Sequence, residues 1–356
     1  MRQPRIDALT THPGRPFVAV PRIIESVGIA TSHRDRDELD AALAQMVASF
    51  LNARVVTVYR IVEDGDVRRV ARQISLSRDG TQLGPEDLSE FDHLPTVNSE
   101  LAWRECVLLH DIVHDEAPAG RGWRSVFPLD GEGGVIGMLE VIADEGMRAR
   151  EASLVTGILR IVRNHLALLD YGERDTLTGL LNRKTFETSF GKLLARSNRL
   201  SRDPSSCEPS WLAVVDIDHF KSINDNFGHL FGDEVLLLVA RLIRSTFRGA
   251  DRLFRFGGEE FVIVLDRAAT AGADAAFDRL RLAIQDHVFP QVGSVTVSIG
   301  YTAILPHDVP ASCMERADAA LYHAKRNGRN QSHRYELLLE CGKLQAKQAR
   351  SEVELF

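Results

Sequence analysis

Four consecutive apolar residues, Leu212-Ala213-Val214-Val215, run straight into Asp216-Ile217-Asp218, so a strand with no polar face ends in carboxylates. Such a run belongs inside a sheet covered on both sides, and acids buried at its end need a cation or hydrogen-bond donors. If the strand continues through Asp218, alternation puts both aspartates on one side. That geometry suits a cation, and it also suits a simple turn.

A second pair of acids follows in Phe256-Gly257-Gly258-Glu259-Glu260-Phe261, between strand-like segments around Leu253 and Val262. Adjacent glycines fit a tight hairpin turn, and they let backbone approach a phosphate because no Cβ intervenes. The plain alternative is a surface hairpin with solvated glutamates. An acid at a strand end and another at a neighbouring turn are together what a Mg²⁺-triphosphate needs in nucleotidyl transfer.

The 356 residues, 44% apolar and 26% charged, suffice for two cores, and a formal charge of -7 gives no pull toward nucleic acid or anionic membrane. Cys106, Cys207, Cys313 and Cys341 are far apart and form no CxxC pair, which fits a reduced cytoplasmic setting. No apolar run of about 18 residues stands out, and residues 1–19, expected to be a flexible N-terminus, lack a signal peptide's apolar core. Membrane insertion is therefore not expected.

Ahead of the carboxylate strand, Leu39, Leu43, Met46, Val47 and Phe50 fall at helical spacing, with Asp35 or Asp37 as N-cap. Two hairpins follow: 55–62 and a run toward Leu76 around Glu63-Asp64-Gly65-Asp66, then 125–129 and 135–142 around 130–134. Between them, 77–120 reads as an irregular lid. Trp103 and Trp123 are expected in the core. This order, with VFPLDGEGGVIGMLEVIA at 126–143, resembles a GAF sensory domain over residues 20–165. The resemblance implies an antiparallel sheet with helices, controlled by a small-molecule or protein signal that the sequence does not identify.

Residues 150–174 read as a helical connector, and Val155, Leu159, Val162, Leu166 and Leu169 follow a coiled-coil spacing over two heptads. The same stripe could instead pack that helix onto its own sheet. Beyond come a domain over 175–332 and a charged tail, 333–356, expected to be helical. The domain should hold an exposed polar loop at 196–210, strand 211–217, helices near 231–247, 271–286 and 314–326, and strand 294–302. That is an α+β sheet domain.

Several segments of this second domain resemble the GGDEF family of diguanylate cyclases, in the Gly-Gly-Glu-Glu-Phe variant. The resemblance spans about residues 171–332. It rests on Asp175-Thr-Leu-Thr-Gly-Leu-Leu-Asn-Arg183, Asp216-Ile-Asp-His-Phe-Lys221, Asn224-Asp225, Gly228-His229, Gly232-Asp233, Ser298-Ile-Gly300 and Ala317-Asp-Ala-Ala-Leu-Tyr-His-Ala-Lys325, all in family order. It implies a palm-like, ferredoxin-like central sheet surrounded by helices. The implied reaction condenses two GTP into cyclic di-GMP.

By resemblance, Asp216, the carbonyl of Ile217 and Glu259 are Mg²⁺ ligands, with Glu260 as a further candidate. Glu259 also accepts the proton of the attacking 3′-hydroxyl. Asn224 and Asp233 read guanine, and a carboxylate suits its two adjacent donors. His229 is a further substrate contact. Lys221 sits near the transferred phosphate, and Lys325 with Arg329 hold the outer phosphates, although cations at a helix C-terminus are also simply favoured there. Arg248 and Asp251 stand where the family has an RxxD inhibitory site for cyclic di-GMP. Because each domain holds one GTP, the resemblance implies a homodimer. The rival from another class is a non-catalytic cyclic di-GMP receptor using Arg248 and Asp251.

Overall fold

The computed structural model describes residues 20–64, 67–86, 88–120, 122–131, 133–200, 208–249 and 251–345. The expected flexible N-terminus, residues 201–207 of the polar loop and 346–356 of the tail lie outside the described residues, while 196–200 of that loop continue a helix instead. The chain divides into two compact units, the first taking residues up to 61 with 70–86 and 97–166, the second taking 62–69, 87–96 and 167 onward.

The first unit runs α1 (Val20–Ser32), α2 (Arg36–Leu51), β1 (Val55–Asp64), β2 (Val67–Ser77), β3 (Gln82–Leu83), α3 (Leu101–Leu109), β4 (Val113–Glu116), β5 (Trp123–Gly131), β6 (Gly134–Ala143) and α4 (Ala149–Glu173). Its sheet has the order β3-β2-β1-β6-β5-β4. In α2 the residues Leu39, Leu43, Met46 and Val47 are buried on one face. Asp35 caps that helix by accepting the N–H of Asp37 at 2.8 Å.

The interval expected to be irregular contains α3 and the edge strand β4. Nine residues are too few for periodicity to declare a helix, and α3 is held by burying Ala102, Trp103, Cys106 and Val107. Trp103 is core as expected, whereas Trp123 is 47% exposed, because it sits at the start of β5.

Helix α4 decides one open reading and corrects one expectation. Val155, Leu159, Val162 and Leu166 are buried within the single chain, so this stripe is a packing face and not a free seam; Leu169 is only half-buried. A stripe at helical spacing serves either purpose, and burial decides. The helix is also long and apolar enough, by length and composition, to cross a membrane. Arg160 and Arg163 in its middle would be costly in hydrocarbon.

The second unit contains β7 (Leu181–Asn182), α5 (Arg183–Leu200), β8 (Trp211–Ile217), α6 (Phe220–Phe227), α7 (His229–Thr246), β9 (Arg252–Gly257), β10 (Glu260–Leu265), α8 (Thr270–Asp286), β11 (Val288–Phe289), β12 (Gly293–Ser294), β13 (Val297–Ala303), α9 (Pro310–Arg326), β14 (Ser332–Arg334) and α10 (Tyr335–Glu340). The main sheet has the order β14-β13-β8-β10-β9-β7. Strand β8 is central, antiparallel to β13 on one side and β10 on the other.

All seven residues of β8 are buried, and they serve two cores. Ala213, Val215 and Ile217 join Val235, Val239 and Phe277 of α7 and α8, while Leu212 and Val214 join Phe186, Phe190 and Ala317 of α5 and α9. That is why the strand reads as an unbroken apolar run. In β13, a Cβ on Gly300 would lie 2.1 Å from the Leu321 nitrogen and 2.2 Å from the Ala317 oxygen, so only glycine lets α9 pack this closely.

The start of the tail is not a helix. Residues 332–334 add strand β14 parallel to β13, and α10 has six residues. Glu336 accepts hydrogen bonds from the Thr302 hydroxyl at 2.6 Å and the Ala303 N–H at 3.0 Å. These residues complete the sheet, a role that a charged segment without alternation does not advertise.

Candidate active site

Asp216 is 4% exposed at the end of β8, and in register Glu260 lies directly opposite it on β10. The Ile217 N–H donates to the backbone oxygen of Glu259 at 3.4 Å. The two acidic motifs, more than forty residues apart in sequence, are therefore neighbours across one strand pair.

The only cation paired with Asp216 among the described residues is Lys325, whose Nζ lies 2.7 Å from Oδ2. Burial raises the Asp216 pKa, Lys325 pulls it back down, and Glu260 and Asp218 push it up. Burial also raises Glu259, helped by the charges of Asp216 and Glu260. Neither Glu259 nor Glu260 has a side-chain hydrogen bond or ion pair among the described residues. One lysine thus faces a group of acids that repel one another.

No three or more His, Cys, Asp or Glu side chains converge as a ready metal centre among the described residues. Mg²⁺ does not need one, since it commonly takes one or two carboxylates, waters and substrate phosphates. The under-compensated acids of Asp216 and Glu259 fit that donor set.

Asp218, one residue beyond β8, has a different task. Its carboxylate accepts from Thr296 Oγ1 and Ser298 Oγ, each at 2.7 Å, and from the Asn330 N–H at 3.0 Å. It thereby anchors the turn after α9, where Arg329 (φ 60°) and Asn330 (φ 48°) adopt the left-handed conformation. Arg281 and Gln285 grip the Asn330 side chain from α8 at 3.1 and 2.7 Å. Lys325 and Arg329 flank this turn. Lys325 reaches the Asp216 carboxylate, while Arg329 is exposed.

Lys221 and Asn224 lie on α6, and His229 and Asp233 on the N-terminal part of α7, after β8. None makes an ion pair or side-chain hydrogen bond to the Asp216 group among the described residues. Gly232 shapes this pair of helices: a Cβ there would sit 2.0 Å from Asn224 Oδ1. Gly232 therefore leaves the room that the Asn224 amide occupies.

Arg248 and Asp251 stand apart from the acids. They precede β9, six residues long, so the twin-glycine turn lies roughly 20 Å along the strand. Both Asp251 oxygens accept backbone N–H groups, from Arg248 at 2.9 Å and Asp266 at 3.1 Å. Burial raises its pKa to about 6.

One supporting residue was missed by sequence reasoning. Arg255 donates to the Gly258 carbonyl at 2.8 Å and to Asp175 Oδ1 at 3.0 Å. Asp175 also accepts from the Thr178 N–H and hydroxyl, at 2.8 and 2.7 Å. The Asp175-Thr-Leu-Thr segment thus braces the turn that presents Glu259. A charged residue between two phenylalanines of a strand was the available signal.

Residues 173–331 match the family model "Diguanylate cyclase, GGDEF domain", and this part of the chain is a GGDEF domain. It resembles diguanylate cyclase DgcP of Pseudomonas aeruginosa, at 44% identity over 159 residues, covering 44% of this chain and 23% of that protein. It also resembles the response regulator PleD of Caulobacter vibrioides, at 38% identity over 176 residues, covering 48% and 37%. A solved structure of the GGDEF domain of DgcB from Caulobacter crescentus, in complex with c-di-GMP, aligns at 34% identity with a TM-score of 0.43, over 46% of this chain and 94% of that one. The chain thus spans well under half the length of these two curated relatives.

Proposed function

We propose that this chain is a diguanylate cyclase, joining two GTP into cyclic di-GMP with release of two pyrophosphates. The carrying observation is the apposition of Asp216 with Glu259 and Glu260 around a single lysine. Asp216, the Ile217 carbonyl and Glu259 would hold Mg²⁺, with Glu260 as a further candidate ligand. The ion would offset charge that builds on the phosphate oxygens.

Glu259 takes the proton of the 3′-hydroxyl, and its raised pKa makes it a better base than an ordinary carboxylate. Each 3′-oxygen forms a bond to the α-phosphorus of the other nucleotide as the bond to pyrophosphate breaks. Lys221, Lys325 and Arg329 stabilise the phosphates, and Lys325 exchanges Asp216 for substrate. Asn224 and Asp233 select guanine, since adenine would leave Asp233 unpaired, and His229 lies at the edge of the same subsite.

Because both nucleotides must meet, the active form is a homodimer. The N-terminal unit, with its GAF-like order of helices and antiparallel strands, acts as the sensory part in a cytoplasmic protein. Arg248 stacks on and forks cyclic di-GMP for product inhibition. The deciding experiment incubates the purified chain with GTP and Mg²⁺ beside Asp216→Asn and Glu259→Ala, with products separated by chromatography. Cyclic di-GMP from the parent and little from either variant is expected; parental rates in the variants would remove the assignment.

A further inference from the structure

In the first unit a cavity of about 210 Å³ opens between the end of α3, strand β5 and helix α4. Arg160 and Arg163 line it from α4. Three residues apart, they share one side of the helix, and neither has a hydrogen bond or ion pair among the described residues. Two carboxylates, Asp111 and Asp130, also line the cavity. One oxygen of Asp111 accepts the Ile112 N–H at 2.7 Å. Asp130 Oδ1 is buried without a hydrogen-bond donor, with His110 Nδ1 3.5 Å away. His110 itself closes α3 in a left-handed conformation, with φ 53°.

Arg160, Arg163 and Asp111 stand at the exposed mouth of the cavity, and among the described residues no ion pair joins either arginine to Asp111 or Asp130. The space between them separates opposite charges, and the buried ring of Phe127 and side chain of Leu159 supply an apolar wall. A dianion would be repelled by the two aspartates and a diamine by the two arginines. At about 30 Å³ per water, the volume equals roughly seven waters, which suits a molecule of fewer than about ten non-hydrogen atoms.

The geometry points to a binding site for a small zwitterion of the α-amino-acid class, its carboxylate on Arg160 and Arg163 and its ammonium on Asp130. Arginine forks suit a carboxylate, and an ammonium supplies the donor that Asp130 lacks. Helix α4 continues from these arginines to Glu173, two residues before Asp175, so an occupied cavity has a covalent path toward the GGDEF domain.

Isothermal titration of the full chain with L-alanine, L-serine, L-proline and L-aspartate tests the site, beside succinate, inorganic phosphate and putrescine. Saturable binding of at least one amino acid, at millimolar or tighter affinity, with none of the three controls binding, is expected. Arg163→Ala and Asp130→Asn should each weaken it about tenfold or more, with an unchanged far-UV spectrum. Failure of every amino acid to bind overturns the proposal, as does equal binding of succinate or phosphate, or full affinity in both variants. Cyclase activity is not the readout, so the result is independent of the proposed reaction.

Discussion

Both units bury acids beside a cation, and they do so in opposite ways. In the first, Arg124 donates to both Asp115 oxygens and to Glu100, and it lies 3.6 Å from Glu140, which also accepts the Trp103 N–H at 3.3 Å. Every member has a partner, and the guanidinium is held firmly in its charged form. In the second, Asp216 has one lysine on a long stem, while among the described residues neither Glu259 nor Glu260 has a side-chain hydrogen bond or ion pair. A closed network specifies structure; an open one leaves valences for a ligand.

The sharpest way to break that contrast is to mutate each side and see which property moves. Asp216→Asn or Glu259→Ala should lower cyclic di-GMP formation by about 10²–10⁴-fold. The midpoint of thermal unfolding should hold or rise, because a repelled acid is gone. A large fall in stability with intact turnover would reverse the roles of the two clusters. Arg124→Ala should do the opposite, costing about 1.5–3 kcal/mol by leaving the buried Glu140 without its cation while the half-exposed Asp115 and Glu100 turn to water, as read by urea unfolding.

Smaller effects sharpen the picture within the second unit. Arg255→Ala frees the twin-glycine turn from Asp175, and loss of a charged hydrogen bond costs about 1.5–3 kcal/mol. Turnover should fall with it while guanine selectivity holds, which a GTP-against-ATP comparison checks. Gly232 is buried, and a Cβ there would meet Asn224 Oδ1 at 2.0 Å and Phe220 Cζ at 3.3 Å, so Gly232→Ala should cost about 1–3 kcal/mol by urea unfolding. A raised KM for GTP should accompany it, by about tenfold if one hydrogen bond is lost.

The pH profile gives the mildest test. Asp216 and Glu259 both have raised pKa values, so each remains protonated to a higher pH than a free carboxylate. Activity should rise with pH along an acid limb above the ordinary carboxylate range, and Glu260→Gln should move that limb down. For Asp251, raised to about 6, the folded state holds its proton more tightly than the unfolded one. Stability therefore falls as pH rises from about 4 to 6, a slope that Asp251→Asn should remove.

Much of the second unit was legible because its motifs are local. The apolar run of β8, the glycine turn and the helical stripes each announce themselves within a dozen residues. What escaped was short or relational. Helix α3 and strand β14 are too brief for periodicity, and the α4 stripe reads alike as a seam or a packing face until burial is known.

The order of chemical groups along this chain was set by the sequence alone: acids after an apolar strand, acids after twin glycines, cations after a helix. Which groups meet was decided by tertiary structure. Antiparallel pairing of β8 with β10 puts Glu260 opposite Asp216, and the packing of α9 on Gly300 brings Lys325 to them. Asp218, two residues from Asp216, was drawn instead to Thr296, Ser298 and Asn330. The reason is physical: charge interactions depend on distance and burial in space, and neither is a property of spacing along the chain.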